Sequence, residues 1–439
     1  MIRNYLKEFG LDDEIINTII KNEKVNDYNI TGVVNKIKKI HNHLLKIGYT
    51  EEEIIKMINI SPTILNFSTK KIDLKISFFE ELGFTKEEII KFTKIIPHLL
   101  GSTIETLEKK IKYFEELGFE NKEILRIIKK YPSILFFSIK NIIYKVNFFL
   151  EMGYSKEKIL KMIKTFPGVL SVNLEKTNKK FIYFQEMGYS KEDVIKMTIT
   201  SPIILNKREE SLNEKISQFL EIGYSKSDFM KMSKKNPDVF TITRETIEKK
   251  ISFFLELGYT KEEIIKITKD APILFMYAME SINQKISLLH EIGYTNEEII
   301  SMTISFPTLY DLHIDNINRK IIFLQDLGYT KEEVVKMTIN LPVLFGLSFE
   351  NIQRKIEYYK EINLGFIVTE RTNSLIQSID LTYARYQFLT KELGIEINRD
   401  NYKKLFLAEK YFEKKYKYTR DDIIEKYNYT RKKENEYNR

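Results

Sequence analysis

Residues 259–293 read YTKEEIIKITKDAPILFMYAMESINQKISLLHEIG. Thr260 stands three residues before Glu263. That is the spacing at which a hydroxyl accepts from a first-turn N–H and a carboxylate accepts from the N-cap N–H. Ile264, Ile265 and Ile267 mark the apolar face of a first helix. Pro272 ends it, because proline has no N–H to donate and disfavours helical backbone in the residue before it. The apolar run Ile273-Leu274-Phe275 is long enough for one buried turn. Ile282, Ile286 and Leu289, spaced by four and three, predict a second helix. Gly293 closes it, since glycine takes up the left-handed C′ conformation without steric cost.

A hairpin of this kind cannot bury its two apolar faces alone, and the chain repeats it. Glycines stand at Gly48, Gly83, Gly118, Gly153, Gly188, Gly223, Gly258, Gly293 and Gly328, always 35 residues apart. Prolines stand at Pro62, Pro97, Pro132, Pro167, Pro202, Pro237, Pro272, Pro307 and Pro342 at the same spacing, and these are all the prolines of the chain. An unbroken period implies stacked units with a continuous core. The expected fold is therefore all-α: a right- or left-handed superhelical α-solenoid of about nine regular 35-residue helical hairpins with irregular caps.

The ends depart from the period. Residues 1–48 are expected to form a divergent N-terminal cap repeat, with Gly10 lying 38 residues before Gly48 and no proline between them. Residues 49–363 hold the nine repeats, the last closing on Asn363, the next most tolerant residue for a left-handed cap. Residues 364–428 are expected to be a helical C-terminal cap, with helices over 374–393, 400–415 and 419–427, and residues 429–439 a basic disordered tail.

Composition removes several functions. The 439 residues include no cysteine, which excludes disulfides, cysteine metal sites and thiol catalysis. The five histidines are scattered, and neither a glycine-rich phosphate loop nor an HExxH pair occurs. No enzyme activity, catalytic residue, metal or cofactor is expected. No apolar run is long enough to cross a membrane, and the opening MIRNYLKEFGLDDEII has neither secretory nor transit character. A cytoplasmic monomer is expected, with a mitochondrial or other organellar address as the alternative. The net charge of +8 permits a polyanionic partner without requiring one.

Counting each repeat from the residue after its glycine, position 27 is lysine in all nine copies: Lys75, Lys110, Lys145, Lys180, Lys215, Lys250, Lys285, Lys320 and Lys355. On a helical wheel it falls inside the apolar arc. Two readings follow. Either the stems pack and the ammonium groups emerge as a phosphate track, or each buried-stem lysine pairs with a carboxylate of the next repeat. A second ladder at position 8, Lys56, Lys91, Arg126, Lys161, Lys196, Lys231, Lys266 and Lys336, broken at Ser301, lies opposite the first helix's apolar face. Acidic residues recur two places before the closing residue of each repeat, from Glu81 to Glu361, and predict an acidic edge away from any polyanion. The positions that vary most are 12 and 18, on either side of the proline.

The order of residues resembles the repeat of the mitochondrial transcription termination factor (mTERF) family, a proline followed by leucine-like residues 3, 10 and 17 positions on. Pro202 is followed by Leu205, Leu212 and Phe219, Pro272 by Phe275, Ile282 and Leu289, and Pro342 by Phe345, Ile352 and Tyr359. Aromatic residues often take the final leucine place, and Thr177 stands where a leucine is expected. The resemblance implies a curved nucleic-acid-binding solenoid that acts by occupying DNA or RNA, in transcription or RNA metabolism. A protein-interaction scaffold using the concave face is the alternative. GYTKEEIIKMT is also similar to the first helix of TAL-effector-like DNA-binding repeats, but proline replaces the glycine-bearing reading loop, so no one-repeat-one-base code is carried over.

Overall fold

A computed structural model describes residues 2–22, 30–427 and 429. Their regular structure is helical throughout. The chain divides into two compact units, Met1–Asn213 and Glu214–Arg439. Each is a stack of the predicted hairpins. In the repeat quoted above, the first helix is Lys261–Asp270, a 3-10 turn runs Pro272–Phe275, and the second helix is Met279–Ile292. Thr260 and Glu263 form the full reciprocal cap, and Gly293 ends the second helix at φ 116°. The same cap forms at Thr50, Thr85, Ser190, Ser225, Thr295 and Thr330. At Ser155 only half of it forms, because Lys158 stands where a carboxylate is needed. Asn363 adopts φ 59°, as the pattern requires.

Two ties join neighbouring repeats within each unit. In several repeats the leading tyrosine sends its hydroxyl to a threonine 44 residues on: Tyr49 to Thr93 at 2.7 Å, Tyr224 to Thr268 at 2.6 Å and Tyr259 to Thr303 at 2.5 Å. Where that residue is phenylalanine, at Phe84 and Phe119, the corresponding positions hold Ile128 and Ile163, and all four side chains are buried. At these places apolar meets apolar and hydroxyl meets hydroxyl. The exception is Tyr329, with Asn373 at the corresponding position: the buried Tyr329 hydroxyl has no hydrogen-bond partner. The second tie runs from the last turn of one first helix to the capping carboxylate of the previous one: Lys94 to Glu53, Lys129 to Glu88 and Lys164 to Glu123, each at 2.6 Å.

The hairpin pattern continues past residue 363, at a shorter period. Further 3-10 turns start at Thr372 and Tyr402, each 30 residues after its predecessor, counting from Pro342. The expected helix over 374–393 is divided into the turn Thr372–Ile376, the helix Ile379–Gln387 and a π turn Phe388–Glu392. The expected helix over 400–415 is divided into Tyr402–Phe406 and Glu409–Tyr416. Ser378 explains the first division, because its hydroxyl caps a new helix at Leu381 N. The expected tail 429–439 lies outside the described residues except for Tyr429. That ring is buried edge-on against Tyr358 and Tyr383, at 5.3 and 5.5 Å between centroids.

Candidate nucleic-acid interface

All nine position-27 lysines are buried, none more than 9% exposed. Six ammonium groups donate to backbone carbonyls at the 3-10 turn of the following unit. Lys110 reaches the Leu135 carbonyl, Lys145 Val172, Lys250 Tyr277, Lys285 Tyr310, Lys320 Leu347 and Lys355 Leu375. Carbonyls at the end of a short turn have no acceptor role inside it, so a cation reaching across satisfies them. Several ammonium groups also lie over aromatic rings, that of Lys320 3.7 Å from the Phe349 centroid. Lys180 is paired with a carboxylate of the next repeat, Glu209 at 3.5 Å, and Lys215 donates to Gln218 at 2.6 Å. Lys75 is buried with no hydrogen-bond partner for its Nζ. The stems are packed as the sequence pattern implies, but the acceptor is a carbonyl in place of the expected carboxylate. Burial holds the ammonium groups of Lys75, Lys110, Lys145, Lys180, Lys250, Lys285 and Lys355 below the usual lysine range, and brings Lys320 down to about 8.

The position-8 ladder has the opposite environment. Lys56, Lys91, Arg126, Lys161 and Lys196 in one unit, and Lys231, Lys266 and Lys336 in the other, are all exposed. Isoleucines and methionines turn the rest of each first helix inward, which leaves position 8 on the outer face. The charge around this ladder is greatest in repeats three, four and six. The helix Asn121–Lys130 carries Lys122, Arg126, Lys129 and Lys130 against Glu123 alone, and Lys156–Thr165 carries Lys156, Lys158, Lys161 and Lys164 against Glu157 alone. Some of this charge is neutralised, Lys129 by Glu88 and Lys164 by Glu123, and Lys130 donates to the Thr165 carbonyl. Arg126, Lys156, Lys158 and Lys161 form no ion pair.

One second helix presents the opposite sign. In Glu209–Ile222 the single lysine is the buried Lys215, and the acids are Glu209, Glu210, Glu214 and Glu221. The acids preceding the repeat glycines, including Glu81, Glu116, Glu151 and Glu256, are exposed. The sign is not uniform along the array: the first helices Glu51–Ile60 and Asn296–Ser305 carry more acids than cations, and the second helix Leu174–Glu186 more cations than acids. Among the described residues no cluster of histidines and carboxylates has metal-site geometry. His41 and His43 instead contact Glu51 at 2.6 Å and Asp73 at 2.8 Å. At the variable positions, Ile60, Ile95 and Phe136 are exposed. Lys235 at position 12 donates to the Asp270 carbonyl at position 12 of the next repeat, at 3.0 Å.

Repeated helix–turn–helix units joined by nearest-neighbour ties define an α-solenoid repeat protein. Comparison with known families gives the next level: an mTERF family model matches residues 4–187, 182–291 and 246–365. The chain belongs to the mTERF family, whose helical repeats are generally nucleic-acid-binding and generally non-enzymatic. No curated protein matches it. Among the described residues no helix is long and apolar enough to cross a membrane.

Proposed function

We propose that the protein binds DNA or RNA through the outer faces of its first helices and acts by occupying the strand, in transcription or RNA metabolism. The supporting observation is the position-8 ladder: cations at repeat spacing, exposed and without ion pairs, in a chain of a family whose repeats generally bind nucleic acid. Stacked helices lie roughly 8–10 Å apart, so successive ladder cations can follow a phosphate backbone. Six of the nine position-27 lysines, with their ammonium groups turned to internal carbonyls, contribute on this reading by holding repeats in register and not as part of the track.

The test is the salt dependence of binding to labelled single- and double-stranded DNA and RNA. Each phosphate contact removed lowers the slope of log affinity against log salt by about 0.7–0.9. Changing Lys91, Arg126, Lys161 and Lys196 to Gln should flatten the slope by roughly 3. Changing Lys110, Lys145, Lys250 and Lys285 to Gln should leave the slope of the surviving folded protein unaltered. If the second set flattens the slope and the first does not, the interface lies on the other helices.

One observation favours a protein partner as a second reading. The second helix Ile139–Glu151 exposes Ile143, Tyr144 and Leu150, with Tyr144 67% exposed. An apolar face of this kind suits a partner helix. Under this reading, Tyr144→Ser weakens capture of a protein partner and leaves nucleic-acid affinity alone.

A further inference from the structure

The repeat rules fail together at one place. Position 24 is Ile or Leu in every repeat except the fourth, where it is Thr177. Position 20, the N-cap of the second helix, is Ser, Thr, Asn, His or Ala in every repeat except the fifth, where it is Arg208. The residue before it, position 19, is Lys207 there, and no other repeat puts a lysine or arginine at either position. These three departures, from two adjacent repeats, line a single cleft of about 490 Å³ together with Lys176, Lys179 and Lys180. The cleft lies wholly within the unit Met1–Asn213. Local rules broken in concert at a concave site are what a binding site leaves in an otherwise regular sequence.

The chemistry of the lining selects an anion. Five cations face two carboxylates, Glu209 and Glu210. Lys179 is engaged by Glu175 at 2.7 Å. Lys180 is 5% exposed and lacks the carbonyl acceptor that Lys110 and Lys145 have in the same unit. Its ammonium is left with Glu209 at 3.5 Å and the Tyr183 ring at 5.1 Å. Lys176, Lys207 and Arg208 form no ion pair. The buried Thr177 hydroxyl donates to the Asn173 carbonyl at 2.9 Å and adds a polar wall where the other repeats are apolar. A guanidinium beside lysines suits the geometry and charge of a phosphoryl group.

We propose that this cleft binds a phosphoryl group, carried by a nucleic-acid strand end or by a free phosphorylated molecule. The cleft is built from second helices and the turn between them, apart from the first-helix ladder, so the two sites can fail separately.

The experiment is isothermal titration of the full chain with inorganic pyrophosphate, and with a 12-nucleotide single strand bearing or lacking a 5′-phosphate. The variant combines Lys207→Ile with Arg208→Ser, residues that other repeats carry at these positions, so the fold has a precedent for both. Wild type should bind pyrophosphate, and the variant should bind at least about tenfold more weakly with an unchanged or higher Tm. Lys176→Gln, on an exposed helical surface, gives a second reading if the double variant fails to fold, and should also weaken pyrophosphate. The ladder variant with four glutamines should retain pyrophosphate binding. A preference for the 5′-phosphorylated strand that disappears in the double variant identifies a strand end as the source. Pyrophosphate binding without that preference identifies a free phosphorylated molecule. No binding by wild type, or equal binding by wild type and both cleft variants, overturns the proposal.

Discussion

The Tyr154 hydroxyl lies 2.5 Å from Thr198 Oγ1 in the next repeat, and Thr198 passes its own proton to the Val194 carbonyl at 2.8 Å. The tyrosine is therefore the donor and the threonine oxygen its acceptor. Thr198→Val leaves a buried phenol with no acceptor and should cost about 1–3 kcal/mol. Tyr154→Phe leaves Thr198 bonded to its carbonyl and should cost less, about 0.5–1.5 kcal/mol. The double variant recreates the apolar pairing seen at Phe119 and Ile163 and should be more stable than Thr198→Val alone. Urea unfolding of the four proteins measures the coupling, and simple additivity would contradict the tie.

The same burial, opposed only in part by the Thr198 bond, pushes the Tyr154 phenol up to about 12. Its contribution to stability is present below pH 10, the ordinary phenol value, and is lost as pH rises towards 12. Lys320 has the opposite sign. With its pKa brought down to about 8 from 10.5, the unfolded chain binds the extra proton between those values. Wild type should therefore gain stability relative to Lys320→Met between pH 8 and 10.5. Denaturant midpoints of the pair at four pH values test this, and a constant gap would show that the ammonium is not desolvated.

The Lys129–Glu88 tie is the weaker of the two kinds. Its side chains are 39% and 32% exposed, so solvent screens the pair. Lys129→Gln should cost at most about 1 kcal/mol and nothing measurable in 1 M salt. The Lys129 hydrogen bond, then the cap at Thr85 N, holds the Glu88 carboxyl below its usual range. That contribution is present above the ordinary carboxylate range and fades as pH falls through it. Comparison with Thr198→Val at two salt concentrations separates the screened tie from the buried one.

Arg385 stands 30 residues after Lys355 and does the same work at the end of the array. One of its guanidinium nitrogens donates to the Leu405 carbonyl at 3.0 Å and to that of Leu407 at 2.7 Å. Arg385→Met should loosen the turn Tyr402–Phe406 and the helix Glu409–Tyr416 before the rest of the chain. Trypsin cleavage after Lys403 and Lys404 should then precede global unfolding. Cleavage no faster than in wild type would show that the arginine is dispensable.

The regular repeats were legible because each structural task falls to a residue with few substitutes. Gly293 supplies the left-handed cap, Pro272 the break, and Thr260 with Glu263 the start. The C-terminal units were not legible, because Thr372 and Tyr402 stand where proline marked the turn and the spacing changes with them. At position 27 the wheel placed the stems but not the acceptors. Carbonyls such as Leu347 O are equal in every residue and carry no sequence signal. The Tyr–Thr tie did leave a signal, the exchange of Tyr154 and Thr198 for Phe119 and Ile163. It appears only when positions 44 apart are compared, a distance longer than the period itself.

That distance bears on how such a chain can change length. A segment of 35 residues can be duplicated or lost without disturbing the frame, but the new junction brings together a first residue and a tenth that had other neighbours. Joining a Tyr259-type unit to one carrying Ile128 strands a phenol in the core, whereas joining it to one carrying Thr338 does not. Each seam is thus matched by one pair of side chains, and a unit is specified separately at its two ends: the unit led by Phe84 carries Thr93 at its tenth place, and the unit led by Tyr154 carries Ile163.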